Sequence, residues 1–166
     1  MRFSATLLVV VGLGLATVPA RAQESGIPIG TKAPVVKVND LDGKPVDLGR
    51  YIGKQPLFLE FWATWCELCE ELLPRVRAAQ AAYGSQVAFI GVNVTVNQSA
   101  ARVRKYLETH KPGFLTLYDD QGTSIRAYQV PTTSYVVIVN RDGRVSYTGT
   151  GGTQDIDAAL RKVIQN

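Results

Sequence analysis

The spacing of apolar positions changes several times along the chain, and each change marks an element. Leu57 to Trp62 is short and almost continuously apolar, the pattern of a central strand buried on both faces. Val87 to Val94 reads the same way, and Thr133 to Val139 is a strand rich in β-branched residues. Cys66 to Tyr83 has helical spacing, with Leu68, Leu72 and Val76 on one face and Gly84 as the stop. Ser99 to His110 is a second helix, with Ser99 as N-cap and Lys111-Pro112-Gly113 ending it. Val35 to Val38 and Val46 to Leu48 flank Asp40-Leu41-Asp42-Gly43-Lys44, a hairpin signal. Phe114 to Tyr118 is a further strand, ending at the turn Asp119-Asp120-Gln121-Gly122. Asn140-Arg141-Asp142-Gly143 turns Thr133 to Val139 back into Arg144 to Thr148, and Asp155 to Ile164 is a last helix. The order ββ-βα-βα-β-ββ-α predicts an α/β fold, a central mixed sheet flanked by helices.

The N-terminus follows a different rule. Arg2, an apolar run from Leu7 to Leu15 and the small-x-small triplet Ala20-Arg21-Ala22 are the three parts of an export signal, with cleavage expected after Ala22. The apolar run is short for a membrane span, although retention as an anchor is the competing reading. Residues 1–22 are thus expected to be a signal peptide, 23–32 a linker and 33–166 one domain. Export, here to a bacterial periplasm, places the chain where disulfides form. Removing 22 of the 166 residues leaves 144, enough for a single core. With 46% apolar and 19% charged residues, the composition excludes disorder and a disulfide-dense scaffold. Losing Arg2 and Arg21 lowers the net charge from +4 to +2, and no basic cluster is dense enough for a nucleic-acid footprint.

The chemistry concentrates in Cys66-Glu67-Leu68-Cys69, the only two cysteines, placed between a buried strand and a helix. A helix N-terminus favours a thiolate through its free N–H groups and dipole. Cys66 is therefore expected to be the exposed, attacking thiol and Cys69, one turn in, the resolving thiol. Other uses of the pair fit less well. Haem attachment needs His after the second cysteine, where Glu70 stands. Structural zinc needs four ligands, and His110 is the only histidine. A Cu(I) chaperone has no methionine beyond Met1 to draw on. A purely structural bridge over so short a loop constrains the unfolded chain little. Peroxidase chemistry wants Thr three residues before its cysteine, and residue 63 is Ala. Thiol–disulfide exchange is the reading that remains strongest, with no metal and no cofactor beyond the cysteine pair.

Phe61-Trp62-Ala63-Thr64-Trp65-Cys66-Glu67-Leu68-Cys69 resembles the active-site segment of the thioredoxin superfamily, in particular its exported TlpA-like branch of thiol–disulfide oxidoreductases, which includes cytochrome c maturation reductants. Ala33-Pro34 with the Asp40–Gly43 hairpin is similar to that branch's N-terminal extension, and Pro74 to the proline inside its active-site helix. The resemblance implies a thioredoxin-like fold over 33–166. It also implies a monomer that reduces disulfides of exported cysteine-containing proteins, such as apocytochrome c, and is recharged by a membrane-bound electron donor. Val130-Pro131-Thr132-Thr133 resembles the substrate loop. This implies a cis bond before Pro131, against the low base rate for X–Pro bonds, and backbone hydrogen bonds from Val130 to a bound chain. Trp65 would shield the disulfide and offer partners an apolar patch. Three departures stand out: Leu68 replaces a common proline, Leu72 replaces a cavity glutamate, and Pro131 to Gly143 is long enough for a bulge.

Glu60 lies inside the run Leu57 to Trp62, where an ionised carboxylate is costly unless paired. By the resemblance it aligns with the buried aspartate of thioredoxin. Its expected role is proton acceptor for Cys69, directly or through a water. The alternative is a carboxylate paired with a lysine such as Lys54. Glu60, Glu67, Glu70 and Glu71 all lie near the cysteines. Their charge opposes a thiolate, which points to a reductant. His110 and Arg102 to Lys105 are expected to be solvated helix positions.

Overall fold

A computed structural model describes residues 26–165; the expected signal peptide and cleavage site, residues 1–22, lie outside it. Seven strands and four helices follow in the order β1 (Lys37–Asp40), β2 (Pro45–Asp47), β3 (Leu57–Trp62), α1 (Glu67–Tyr83), β4 (Ala88–Asn93), α2 (Ala100–His110), β5 (Leu115–Tyr118), α3 (Thr123–Ala127), β6 (Tyr135–Val139), β7 (Val145–Thr150) and α4 (Ile156–Ile164). The strands form one sheet in the order β2-β1-β5-β4-β3-β6-β7. β3, β4 and β5 are parallel to one another, and the remaining pairs are antiparallel, so the sheet is mixed as expected. No described helix is long and apolar enough to cross a membrane.

All six residues of β3 are buried, which explains its unbroken apolar run. Leu57, Leu59 and Phe61 pack in a core with Ile90, Val92, Leu117, Val137 and Tyr128. Phe58 packs in another, with Leu72 and Val76 of α1, Val136 and Ile138 of β6, and Ile156 and Leu160 of α4. Within the sheet, Glu60 stands opposite Val136 on one side and Gly91 on the other, and Gly91 stands opposite Thr116. Partners in register share a face, so Glu60, Gly91 and Thr116 form one row.

The structure corrects the pattern reading at three places. Leu68 does not share the buried face of Leu72 and Val76: it is 51% exposed, and Cys69 takes its place on that face. Its position in the first turn, beyond the sheet's end, leaves it nothing to pack on. α3 was not predicted, because five residues are too few to show a period. Its N-terminus is held from the preceding turn, not by its N-cap Gly122: Asp119 accepts hydrogen bonds from the N–H groups of Thr123, Ser124 and Ile125 (2.8–3.0 Å) and from the Ser124 hydroxyl (2.6 Å). The described part of the expected linker, residues 26–32, and Ala33 after it are also stitched to the β6–β7 hairpin. Ile27 is buried and donates to the Tyr135 hydroxyl (3.0 Å), and Gly30 and Ala33 donate to the carbonyls of Val145 and Gly143. The surplus length after Pro131 ends as a register shift between β6 and β7 at Ile138/Val139.

Candidate active site

β3 ends at Trp62, and the chain turns through Ala63-Thr64-Trp65 into α1. Two anchors hold this turn: the Thr64 N–H donates to Gln98 Oε1 (3.1 Å), and Trp65 Nε1 donates to the Val96 carbonyl (2.8 Å). Cys66 is the N-cap of α1, its Sγ accepting from the Cys69 N–H at 3.1 Å, and it is disulfide-bonded to Cys69. The expectation of an exposed Cys66 is not met in this oxidised state: both cysteines are 4% exposed. Capping the helix and bonding to Cys69 turn the Cys66 sulfur inward. Around it Trp65, Leu68 and Val96 are exposed apolar side chains, and Glu67 and Glu70 of the first turn are exposed as well. Trp65 and Val96 line a groove of about 270 Å³ with Ile125, Val130 and Pro131.

The loop carrying Val130 and Pro131 therefore lies beside the cysteine segment, as expected, but its backbone differs. No described peptide bond is cis, so Val130–Pro131 is trans. The reversal is made instead by two non-glycine residues in left-handed conformation, Gln129 (φ 51°) and Ser134 (φ 58°). The Val130 N–H is bonded to the Ile125 carbonyl (3.0 Å), which leaves the Val130 carbonyl, not the N–H, for a passing chain. Sequence reasoning missed Ser134. It is fully buried, and its hydroxyl reaches the carbonyls of Leu68 (3.3 Å) and Gly151 (3.1 Å). Gln154 Nε2 donates to the Ser134 carbonyl (3.0 Å). This knot ties the first turn of α1 to the start of β6 and the end of β7. A serine in a β-branched run carries no signal of that role.

Behind the disulfide, Glu60 is 4% exposed and has no hydrogen-bond or ion-pair partner among the described residues. Lys54 is exposed and does not pair with it. Burial alone pushes its carboxyl up to about 8. Glu60 and Cys69 line the same small cavity, about 20 Å³, together with Trp62, Leu73, Tyr106 and His110. That is room for about one water. Gly91 lets two rings of the cavity wall pack against the sheet, since a Cβ there would lie 2.9 Å from the Phe114 ring and 3.0 Å from Trp62 Nε1. His110 is not merely a solvated helix end. Its ring stacks on Tyr106 (centroids 3.7 Å apart, planes at 6°) and forms part of the cavity wall. Its half-buried position comes from Tyr106, one turn earlier, which itself packs on Trp62 (5.2 Å). A larger groove of about 580 Å³, between the β6–β7 hairpin and α4, includes neither cysteine nor Glu60. Among the described residues, no three His, Cys, Asp or Glu side chains are placed to hold a metal ion.

A disulfide at a helix N-terminus, backed by a buried carboxylic acid and flanked by an apolar groove, is built for thiol exchange. The family model of AhpC/TSA proteins matches residues 29–148. The chain belongs to the AhpC/TSA family. It is 30% identical to the thiol–disulfide oxidoreductase ResA of Geobacillus thermodenitrificans over 168 aligned positions, covering 98% of this chain and 94% of that one. A Chlorobium tepidum structure assigned as thiol:disulfide interchange protein DsbE superposes with a TM-score of 0.72 at 26% identity, over 84% of this chain and 96% of that one. A Bacteroides thetaiotaomicron structure assigned as a protein disulfide isomerase gives 0.73 at 19% identity, over 84% and 92%, and shares the fold. The AhpC/TSA chain described here thus has a thioredoxin-like fold of the TlpA/ResA type, and it is a thiol–disulfide oxidoreductase.

Proposed function

We propose that the protein works after export, in the periplasm, as a monomeric reductant of disulfides in other exported cysteine-containing proteins, apocytochrome c among them. In this reading residues 1–22 are a cleaved signal and 33–166 the working domain. The Cys66 thiolate attacks a target disulfide, forming a mixed disulfide and releasing one target thiolate. Glu60, in its ionised form, takes the proton of Cys69. The Cys69 thiolate then attacks Cys66 Sγ, closing the Cys66–Cys69 disulfide and expelling the second target thiolate. Two electrons have passed from the dithiol to the target, and a membrane-bound donor returns two to restore the dithiol. Trp65, Pro131 and the Val130 carbonyl border the groove where the target chain lies. The cysteine pair is the redox group, and the mechanism calls on no metal or other cofactor.

The observation that carries this reading is the unpartnered Glu60 facing Cys69 across a cavity the size of one water. A buried acid with no structural partner is costly. Proton transfer to and from the buried sulfur gives it a use. The same burial, with Glu67 and Glu70 in the first turn of α1, works against a stabilised thiolate and so favours reducing power. Ala63 leaves a peroxidase without its threonine.

Two measurements test it. Redox equilibrium in graded thiol–disulfide buffers, read by alkylation, is expected to give a two-electron midpoint below roughly −220 mV. A midpoint near about −120 mV would make the protein an oxidant. In single-turnover resolution of a mixed disulfide with a model peptide, the wild-type rate is expected to rise between pH 6 and 8. Glu60→Gln is expected to be slower by about tenfold or more at pH 8 and flat with pH. Equal rates would remove Glu60 from the mechanism.

A further inference from the structure

The Glu60 carboxyl holds its proton up to about pH 8. A protonated acid cannot accept a second proton, so at neutral pH Glu60 must be emptied before each resolving step. Among the side chains that line the cavity with Glu60 and Cys69, few can pass a proton on. Leu73, Pro112 and Phe114 carry no exchangeable side-chain proton, and the Trp62 indole only donates. The Tyr106 hydroxyl is pushed up to about 12, by burial first and by the charges of Glu70 and Glu60 after it, and so stays protonated. His110 remains. Its side chain is 35% exposed while its ring lines the cavity, so it touches both the interior and water.

We propose that His110 is the proton relay of the active site, carrying the proton between Glu60 and solvent in the resolving half of the reaction. The hydrogen bonds of the ring set it up for this. His110 Nδ1 lies 2.9 Å from the Tyr106 carbonyl, which can only accept, so Nδ1 carries the hydrogen. Thr109 Oγ1, 2.8 Å from the same nitrogen, gives its own hydrogen to that carbonyl and can accept from Nδ1 too. In the neutral imidazole Nε2 therefore bears the lone pair. Nε2 lies 4.0 Å from Glu70 Oε1, whose side chain is 54% exposed, so a proton arriving at Nε2 is within reach of water. Stacking on Tyr106 fixes the ring plane.

The charged and titratable groups facing this path are Glu60 from β3, Cys69 and Glu70 from α1, and Tyr106 from α2, with Arg77 of α1 acting on the Tyr106 hydroxyl. From β4 the row offers only Gly91. The proton count is simple. The proton leaves Glu60, passes through the cavity to His110 Nε2 and on to bulk water, leaving the carboxylate that Cys69 needs. On re-reduction a proton returns by the same path as Cys69 leaves its disulfide.

This inference rests on Glu60 being the base for Cys69, so the experiment separates the two. Resolution of the peptide mixed disulfide is followed by rapid quench at pH 7 in wild type, Glu60→Gln, His110→Gln and His110→Ala. Initial attack by Cys66 and the redox midpoint are measured alongside. Removal of His110 is expected to slow resolution about tenfold and make it depend on buffer concentration. Free imidazole is expected to restore the rate in His110→Ala, and the attack rate and midpoint should stay at wild-type values. A wild-type resolution rate in both His110 variants, or a loss that neither buffer nor imidazole relieves, would overturn the relay. If His110 matters little while Glu60→Gln is slow, the relay alone falls. If Glu60→Gln resolves at the wild-type rate, the base assignment falls and the relay with it.

Discussion

Glu60 stands near neutral pH with a proton that the same residue in the unfolded chain has lost. Its carboxyl titrates at about 8 in the fold against an ordinary value of 4.5. Between those values the native state binds one more proton than the unfolded state, so stability falls as pH rises, by ~1.4 kcal/mol per pH unit from this group alone. Glu60→Gln removes that dependence. Denaturant unfolding of the oxidised protein is expected to show the variant gaining on wild type steadily from pH 5 to 8, the gap closing at the acidic end. Parallel pH profiles would mean the acid is solvated or paired in solution. Glu60 was legible from sequence because a lone acid interrupts an unbroken apolar run. Leu68, His110 and Ser134 were not. Their surroundings come from residues distant in the chain: the end of the sheet for Leu68, the Trp62 ring beneath Tyr106 for His110, and Gly151 with Gln154 for Ser134.

Most elements could be read directly, since β3 and the two long helices carry strong periodicity and caps. α1 begins one residue after Cys66, and α2 begins after Ser99, whose hydroxyl accepts from the Arg102 N–H (3.2 Å). α3 shows where local pattern fails, for a single buried carboxylate organises it. Asp119 is 1% exposed and satisfies four donors. The Ile125 carbonyl that α3 presents holds the Val130 N–H, so Asp119 reaches the groove beside Trp65 and Pro131 through α3. Asp119→Ala leaves those donors unsatisfied and is expected to cost about 3 kcal/mol. It should also speed amide hydrogen exchange at Val130 well beyond the change at β3. Exchange at Val130 that merely tracks global unfolding would sever this link. The trans bond at Pro131 belongs to the same scale. The sequence carries a proline at the expected place, but the left-handed turns at Gln129 and Ser134 that replace a cis bond have no residue signature.

Across the whole molecule, the mixed sheet brings together groups far apart in the chain. Cys69, Glu60, Tyr106 and His110 meet at the cavity, and Trp65 and Pro131 meet at the groove. The cysteine motif and its resemblance were enough to infer this class of architecture, while the cavity wall required the packing of α2. The outer strands of the sheet matter for a different reason. β2 is three residues long and starts with Pro45, which has no N–H to offer. At the opposite edge, residues 30–32 run beside the start of β7, with Gly30 donating to the Val145 carbonyl and Val145 to the Thr31 carbonyl. An open strand edge risks pairing with an extended segment of another chain and seeding aggregates. The short, proline-led β2 and the covered start of β7 leave such a segment less backbone to zip onto. Contact with a cysteine-containing protein substrate is thereby left to side chains beside the sulfur atoms rather than to the rims.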